Sequence, residues 1–231
     1  MLGEVTRGIN GKGVEVERAA SIGVALVIVG IDPSRNGENA SDPKIWTVKE
    51  RKTKPETEKT AGQISFPGET KKTGEDLWPN VVGALAEFSD RDSALNSLFV
   101  MPNSHYSNVI SIRGNPVDLI VSVYSGSLDD RHFQPVDKED VAGHRWMTIR
   151  EINEIIKTDP ETIRKFARDI VSMETSHNQI QRVVEEFMHE PVKRLPVSSF
   201  LPKGFSSMAK FHEDREKQVD NRVFDRNPRK G

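Results

Sequence analysis

One unbroken apolar run, residues 22–31, constrains what this chain can fold into more than any other feature. At about ten residues it is half the roughly 20 that a membrane span needs, and it suits a strand buried on both faces. It is rich in β-branched side chains (Val24, Val27, Ile28, Val29, Ile31) and stops at Asp32-Pro33-Ser34-Arg35-Asn36-Gly37, a dense cluster of turn formers. The acids and bases just before it, Glu15, Glu17 and Arg18, are not the basic leader of an export signal, and no small-residue cleavage site is evident. The run reads as the central strand of a sheet, in a cytoplasmic protein with no membrane partner.

The rest of the chain arranges itself around that strand. Residues 1–20, with four glycines, read as a loose, flexible lead-in. Residues 44–49 alternate polar and apolar side chains and pair with the central strand as a hairpin across a long polar loop. A short strand is expected at 63–66, a helix at about 79–90, and strands at 98–101, 109–112, 117–124 and 140–147. Pro79 suits a first helical turn, where its missing N–H would be unpaired anyway, and Val81, Val82, Leu85 and Phe88 line one face. Thr148-Ile149-Arg150-Glu151 has the form of a capping box. Ile149, Ile152, Ile155 and Ile156 give the helix that follows it an apolar stripe.

Two more amphipathic helices follow. One opens at Asp159-Pro160 and carries Ile163, Phe166, Ala167, Ile170 and Val171. The other opens at Ser176 and carries Ile180, Val183, Val184, Phe187 and Met188. Their stripes suit docking on the sheet or on a second copy of the chain. From Pro191 the pattern decays into prolines and charge. The expected plan is an α+β domain at 21–157, a helical extension at 158–190, and a mobile tail at 191–231.

Composition removes whole classes of function. The chain has no cysteine, which excludes disulfide frameworks, cysteine-ligated zinc, iron–sulfur clusters and thiol nucleophiles. Its 33 Lys+Arg against 35 Asp+Glu leave a formal charge of −2, unlike a wholly basic nucleic-acid binder. Residues 161–231 hold 14 basic and 11 acidic side chains, a weak electrostatic footprint for DNA. His105, His132 and His144 lack the mutual spacing of a metal motif, and Trp46, Trp78 and Trp146 suit packing better than base stacking.

The chemically informative stretch runs from Phe66-Pro67-Gly68 through Gly74-Glu75 to Gly83-Ala84-Leu85-Ala86-Glu87-Phe88-Ser89-Asp90. At about 100° per residue, Glu87 and Asp90 lie roughly 60° apart, one turn along the helix and away from its apolar stripe. Two carboxylates so placed beside a glycine loop suit a hard cation such as magnesium or manganese.

In these residues the chain resembles the Nudix family, whose box reads G-x5-E-x7-R-E-U-x-E-E-x-G-U, with U a bulky aliphatic. Phe66-Pro67-Gly68 is similar to the lead-in to the box, Gly74-Glu75 to its internal Gly-Glu, and residues 83–88 to its Ala-Ala-x-Arg-Glu-Leu helix, once three extra residues are accepted before the helix. Asp140-Val141-Ala142-Gly143-His144-Arg145-Trp146-Met147 is similar to the family's last strand. The departures are specific. Glu69 stands at the box-opening glycine, Ala86 at the arginine, Asp90 and Arg91 at the two later glutamates, and Ser93 at the second glycine.

The resemblance implies a mixed β-sheet sandwiched by helices and hydrolysis of a pyrophosphate linkage in a nucleoside-diphosphate-type substrate. It implies Glu87 and Asp90 as metal ligands, with the Gly68 carbonyl a third and Glu87 the choice for ligand or base. Arg91 stands either to pair with a neighbouring acid or to contact phosphate. Arg51, Lys52 and Lys54 are the other candidates for phosphate, against the plain reading of a solvated charged loop. The losses at Ala86 and Arg91 equally suit a Nudix-like binding or assembly module without catalysis. An isomerase of this fold that depends on a cysteine is excluded by composition.

Overall fold

The computed structural model describes residues 5–9, 15–19, 23–31, 43–70, 81, 84–85, 97–101, 107–126, 128, 139–190 and 194–200. The apolar run forms β3, Gly23–Gly30. As its composition requires, both faces are buried: Val24, Leu26 and Ile28 enter one apolar cluster, Ala25, Val27 and Val29 the other. β3 pairs in parallel with β9, Asn115–Tyr124, from Gly23 opposite Val117 to Gly30 opposite Tyr124. A parallel pair cannot be closed by a hairpin, so the intervening chain must cross over the sheet. The helical residues Val81 and Leu85 lie on that path and are buried with Val24, Leu26 and Ile28.

Around this pair the sheet is antiparallel. β4, Lys44–Glu50, pairs with β3 at Val29–Ile45 and Gly30–Lys44, and with β10, Val141–Thr148, along its length. β7, Leu98–Val100, flanks β9 on the other side, with β11, Leu195–Pro196, beyond it, and the main strand order is β10-β4-β3-β9-β7-β11. The short β5, Ile64–Ser65, adds to β4, β6, Gly68–Thr70, to β3, and β8, Ser107–Ile112, to β9. β8 and β9 meet at Arg113-Gly114, whose φ values of 53° and 80° are those of a two-residue turn with both central residues left-handed.

The capping box forms as expected. The Glu151 N–H donates to Thr148 Oγ1 at 3.1 Å and the Thr148 N–H donates to Glu151 Oε2 at 2.7 Å, opening α1, Ile149–Thr158. The next helix starts later than the sequence suggests. Pro160–Thr162 is a single 3-10 turn, and α2 covers Lys165–Ser172, because Ile163 is extended and the Arg164 N–H is committed to the Ile64 carbonyl at 2.8 Å. α3, Glu174–His189, completes the helical hairpin. Both apolar stripes face the chain's own sheet: Ala167, Ile170, Val171, Ile180, Val183, Val184 and Phe187 share one cluster with Val117, Leu119 and Val121. The chain is an α+β protein, a mixed sheet with helical segments against both faces.

Two stretches differ from the sequence reading. The expected loose lead-in contains an antiparallel ribbon, β1 Val5–Ile9 with β2 Glu15–Ala19, whose side chains alternate too irregularly to announce strands. Within the expected mobile tail, β11, Leu195–Pro196, pairs with β7, and Val197 is buried. Arg194 fixes this return by donating from Nη2 and Nε to the Phe187 carbonyl at 2.6 and 3.2 Å, with its guanidinium 3.8 Å from the Phe187 ring centre.

Candidate functional site

From β5 the chain passes through buried Phe66 and Pro67 into β6, where Gly68 lies opposite Ala25 and Glu69 opposite Val24. The Leu26 N–H donates to the Pro67 carbonyl at 2.9 Å and locks this approach. A Cβ built on Gly68 would lie 3.0 Å from the Val24 carbonyl oxygen and 3.8 Å from the Phe166 ring. Close strand approach therefore gives this glycine a structural reason of its own.

Beyond Thr70 the sequence-predicted site leaves the described residues. Gly74, Glu75, Glu87, Phe88, Asp90 and Arg91 all lie outside them. The buried Val81, Ala84 and Leu85 occupy the apolar side of the helix expected there.

A cleft of about 560 Å³ opens beside Gly68, where the start of β3, the end of β4, β6, the β8–β9 turn and the segment leading into α2 converge. Val24, Val48, Phe66, Val117 and Phe166 supply apolar wall. The carboxylates of Glu50, Glu58, Glu69 and Asp140 line it together with the cations of Lys54, Lys59, Arg113 and Arg164.

Of the cations expected to meet phosphate, Lys54 lines this cleft; Arg51 and Lys52 do not. Lys54 Nζ donates to Asp140 Oδ2, while Lys52 Nζ lies 3.4 Å from Asp140 Oδ1 and 3.3 Å from Glu139 Oε2. Arg51 donates from Nε to the Val141 carbonyl at 3.3 Å. The Lys54 hydrogen bond, aided by the charges of both lysines and opposed by partial burial, holds the Asp140 carboxyl below its ordinary range.

Sequence reasoning missed the deeper ionic cluster. Glu50 ends β4 on the same parity as Trp46 and Val48 and is 4% exposed. Its Oε2 lies 3.4 Å from Lys59 Nζ and its Oε1 3.6 Å from Arg164 Nη1. Arg164 Nη2 donates to the Thr57 carbonyl at 2.7 Å, and the guanidinium lies 5.3 Å from the Phe166 ring centre. Burial pulls Arg164 below its ordinary value, Glu50 opposes that shift and Arg113 adds to it. Arg113 pairs with Glu58 and, at 3.3 Å, with Asp169 Oδ2. An acid on the buried parity of an alternating strand was a readable signal for Glu50. Arg164 carried none, since it precedes its helix and belongs to no periodic pattern.

Among the described residues no group of three or more His, Asp or Glu is arranged to hold a metal ion. Glu50, Glu58 and Asp140 are each already neutralised by lysine or arginine. Those three carboxylates do not by themselves suit a hard divalent cation, which needs oxygen ligands with charge to spare.

The fold and cleft define an α+β protein with a balanced ionic pocket at one end of a mixed sheet. Solved structures to which the chain is similar include a Nudix hydrolase from M. smegmatis, RenU, at 13% identity and TM-score 0.42, covering 64% of this chain and 83% of that one. Another is the C. elegans Ap4A hydrolase, at 13% identity and TM-score 0.40, covering 65% and 99%. A third is the NUDIX domain of Shewanella oneidensis NrtR complexed with ADP ribose, at 14% identity and TM-score 0.40, covering 74% and 90%. No family model matches the chain, and no curated protein does.

Proposed function

We propose that this protein hydrolyses a pyrophosphate linkage in a nucleoside-diphosphate-type substrate, acting in the cytoplasm. The observation that carries the reading is the cleft itself. It opens at Gly68, where the box-like stretch begins, and combines apolar wall with cations of the strand ends and of the segment leading into α2. A ligand that carries both an apolar ring and a charged phosphate group suits such a mixed lining.

Glu87 and Asp90 are the residues proposed to hold magnesium or manganese, with the Gly68 carbonyl as a third donor. An ion held there would neutralise phosphate charge and acidify a bound water. The chain's own part is to bind and orient: cations grip phosphate oxygens, the apolar wall excludes water, and Glu87 accepts the proton of the attacking water.

The test is a panel of nucleoside diphosphates and their conjugates with Mg²⁺ or Mn²⁺. ADP-ribose and Ap4A, the ligand names carried by two of the similar structures, belong in it. Metal-dependent release of monophosphate, lost in Glu87→Gln, is expected. Activity unchanged by that substitution would move the chemistry elsewhere. A second reading, a binding module without catalysis, is favoured by Ala86 and Arg91 in the box and by carboxylates already paired in the cleft. Nucleotide binding without turnover across the panel would select it.

A further inference from the structure

Among the described residues four cations line the cleft, and they differ in what they have left to give. Lys54 is spent on Asp140. Lys59 lies 3.4 Å from Glu50. Arg113 is divided between Glu58 and Asp169. Arg164 is different. It carries five N–H donors in a planar fork, yet among the described residues it completes one side-chain hydrogen bond, to the Thr57 carbonyl. Its Nε is buried with no partner there, and its nearest carboxylate, Glu50, stands 3.6 Å away, past ordinary hydrogen-bond reach.

Its position is also built in advance. The Arg164 N–H is bonded to the Ile64 carbonyl, Ile163 bridges to Ile64, and the Phe166 ring supports the guanidinium. A largely buried fork held by sheet and ring, whose nearest carboxylate stands beyond hydrogen-bond reach, keeps donors for an incoming oxyanion.

We propose that Arg164, supplied by the segment leading into the helical hairpin, is the anion anchor of the cleft and takes the diphosphate oxygens of a nucleoside diphosphate. The nucleoside half of this assignment rests on the functional reading above; the anion site stands on Arg164 alone. Glu50 is then the internal competitor, a carboxylate that neutralises the fork when no ligand is bound.

Titration calorimetry in metal-free buffer with inorganic pyrophosphate, ADP and adenosine tests this. Wild type binds pyrophosphate and ADP; Arg164→Gln weakens both by about tenfold or more, and Arg164→Lys, which keeps charge but loses the fork, weakens them less. Glu50→Gln tightens pyrophosphate binding, because the competitor loses its charge, and it decides the matter if Arg164→Gln fails to fold. Adenosine gains nothing from Arg164.

The anchor is overturned if wild type binds no pyrophosphate. It also falls if a folded Arg164→Gln protein binds pyrophosphate within about twofold of wild type, or if Glu50→Gln leaves affinity unchanged or weaker. Hydrolysis with an unaltered KM in Arg164→Gln would overturn the anchor and leave the hydrolase reading intact. Pyrophosphate binding that depends on Arg164, with no turnover of any panel member, would support the anchor and remove the hydrolase reading.

Discussion

Asp140 sits at the mouth of β10 with Lys52 and Lys54 converging on its carboxylate, and that geometry sets a pH dependence. Its native pKa is lowered, so its contribution to stability is present above the unfolded carboxylate value and is lost as pH falls through the native one. Urea unfolding of wild type and Asp140→Asn should therefore differ by at most about 1 kcal/mol near neutrality, since the group is partly exposed, and converge as the pH falls through the lowered native value. A constant difference across that range would deny the ion pair. Gly68→Ala tests a different residue-scale claim. The added methyl meets the Val24 carbonyl at 3.0 Å, so β6 must shift, and a loss of roughly 1–2 kcal/mol is expected in the same assay. At this scale the sequence was only half readable. Lys52 and Lys54 looked available for phosphate because nothing in their neighbourhood reveals Asp140, 86 residues beyond Lys54, which the β4–β10 pairing brings to them.

Elements with a strong period were legible; elements made by pairing alone were not. β3 and β9 announce themselves through continuous burial, and α1 through its cap. Thr148→Ala removes the acceptor for the Glu151 N–H and should cost about 1 kcal/mol, lowering the melting temperature by roughly 2–4 °C in a chain of this size. An unchanged melting temperature would mean that tertiary packing alone holds the helix start. β11 is the opposite case. Two residues, one a proline, have no period to detect, and the strand exists because Arg194 turns the chain back from α3 to the edge of β7. A proline is tolerated at an edge, where its missing donor interrupts no interior ladder. The candidate site divides in the same way. Gly68, which the sequence singled out as a possible metal donor, lines the cleft as a closely packed strand glycine, whereas Glu50, Arg113 and Arg164 come from three separate elements whose meeting depends on the whole sheet.

At the scale of the whole molecule, the helical hairpin is one wall of the core and not an appendage to it. Ile163, Ile170, Val171, Ile180, Val183, Val184 and Phe187 are each under 4% exposed, and they cover the face of β9 that presents Val117, Leu119 and Val121. Burying each such side chain contributes roughly 1.5–3 kcal/mol, so the set as a whole rivals the net 5–15 kcal/mol by which a domain is usually stable. A chain ending at residue 157 would expose that sheet face to water and would also lose Arg164 from the cleft. It should be insoluble or molten, binding a hydrophobic dye and showing no cooperative melt. The milder probe is Phe187→Ala in the full chain. Phe187 touches Phe99 at a ring separation of 5.9 Å and carries Arg194 on its face, so its loss opens a cavity and frees the β11 return together. About 3–5 kcal/mol is the expected cost, with hydrogen exchange rising first at 194–197 and in α3. If the shortened chain instead folds cooperatively and Phe187→Ala costs under about 1 kcal/mol, the sheet face is closed by something other than these helices. An anchor supplied by Arg164 would then belong to a separable part of the protein.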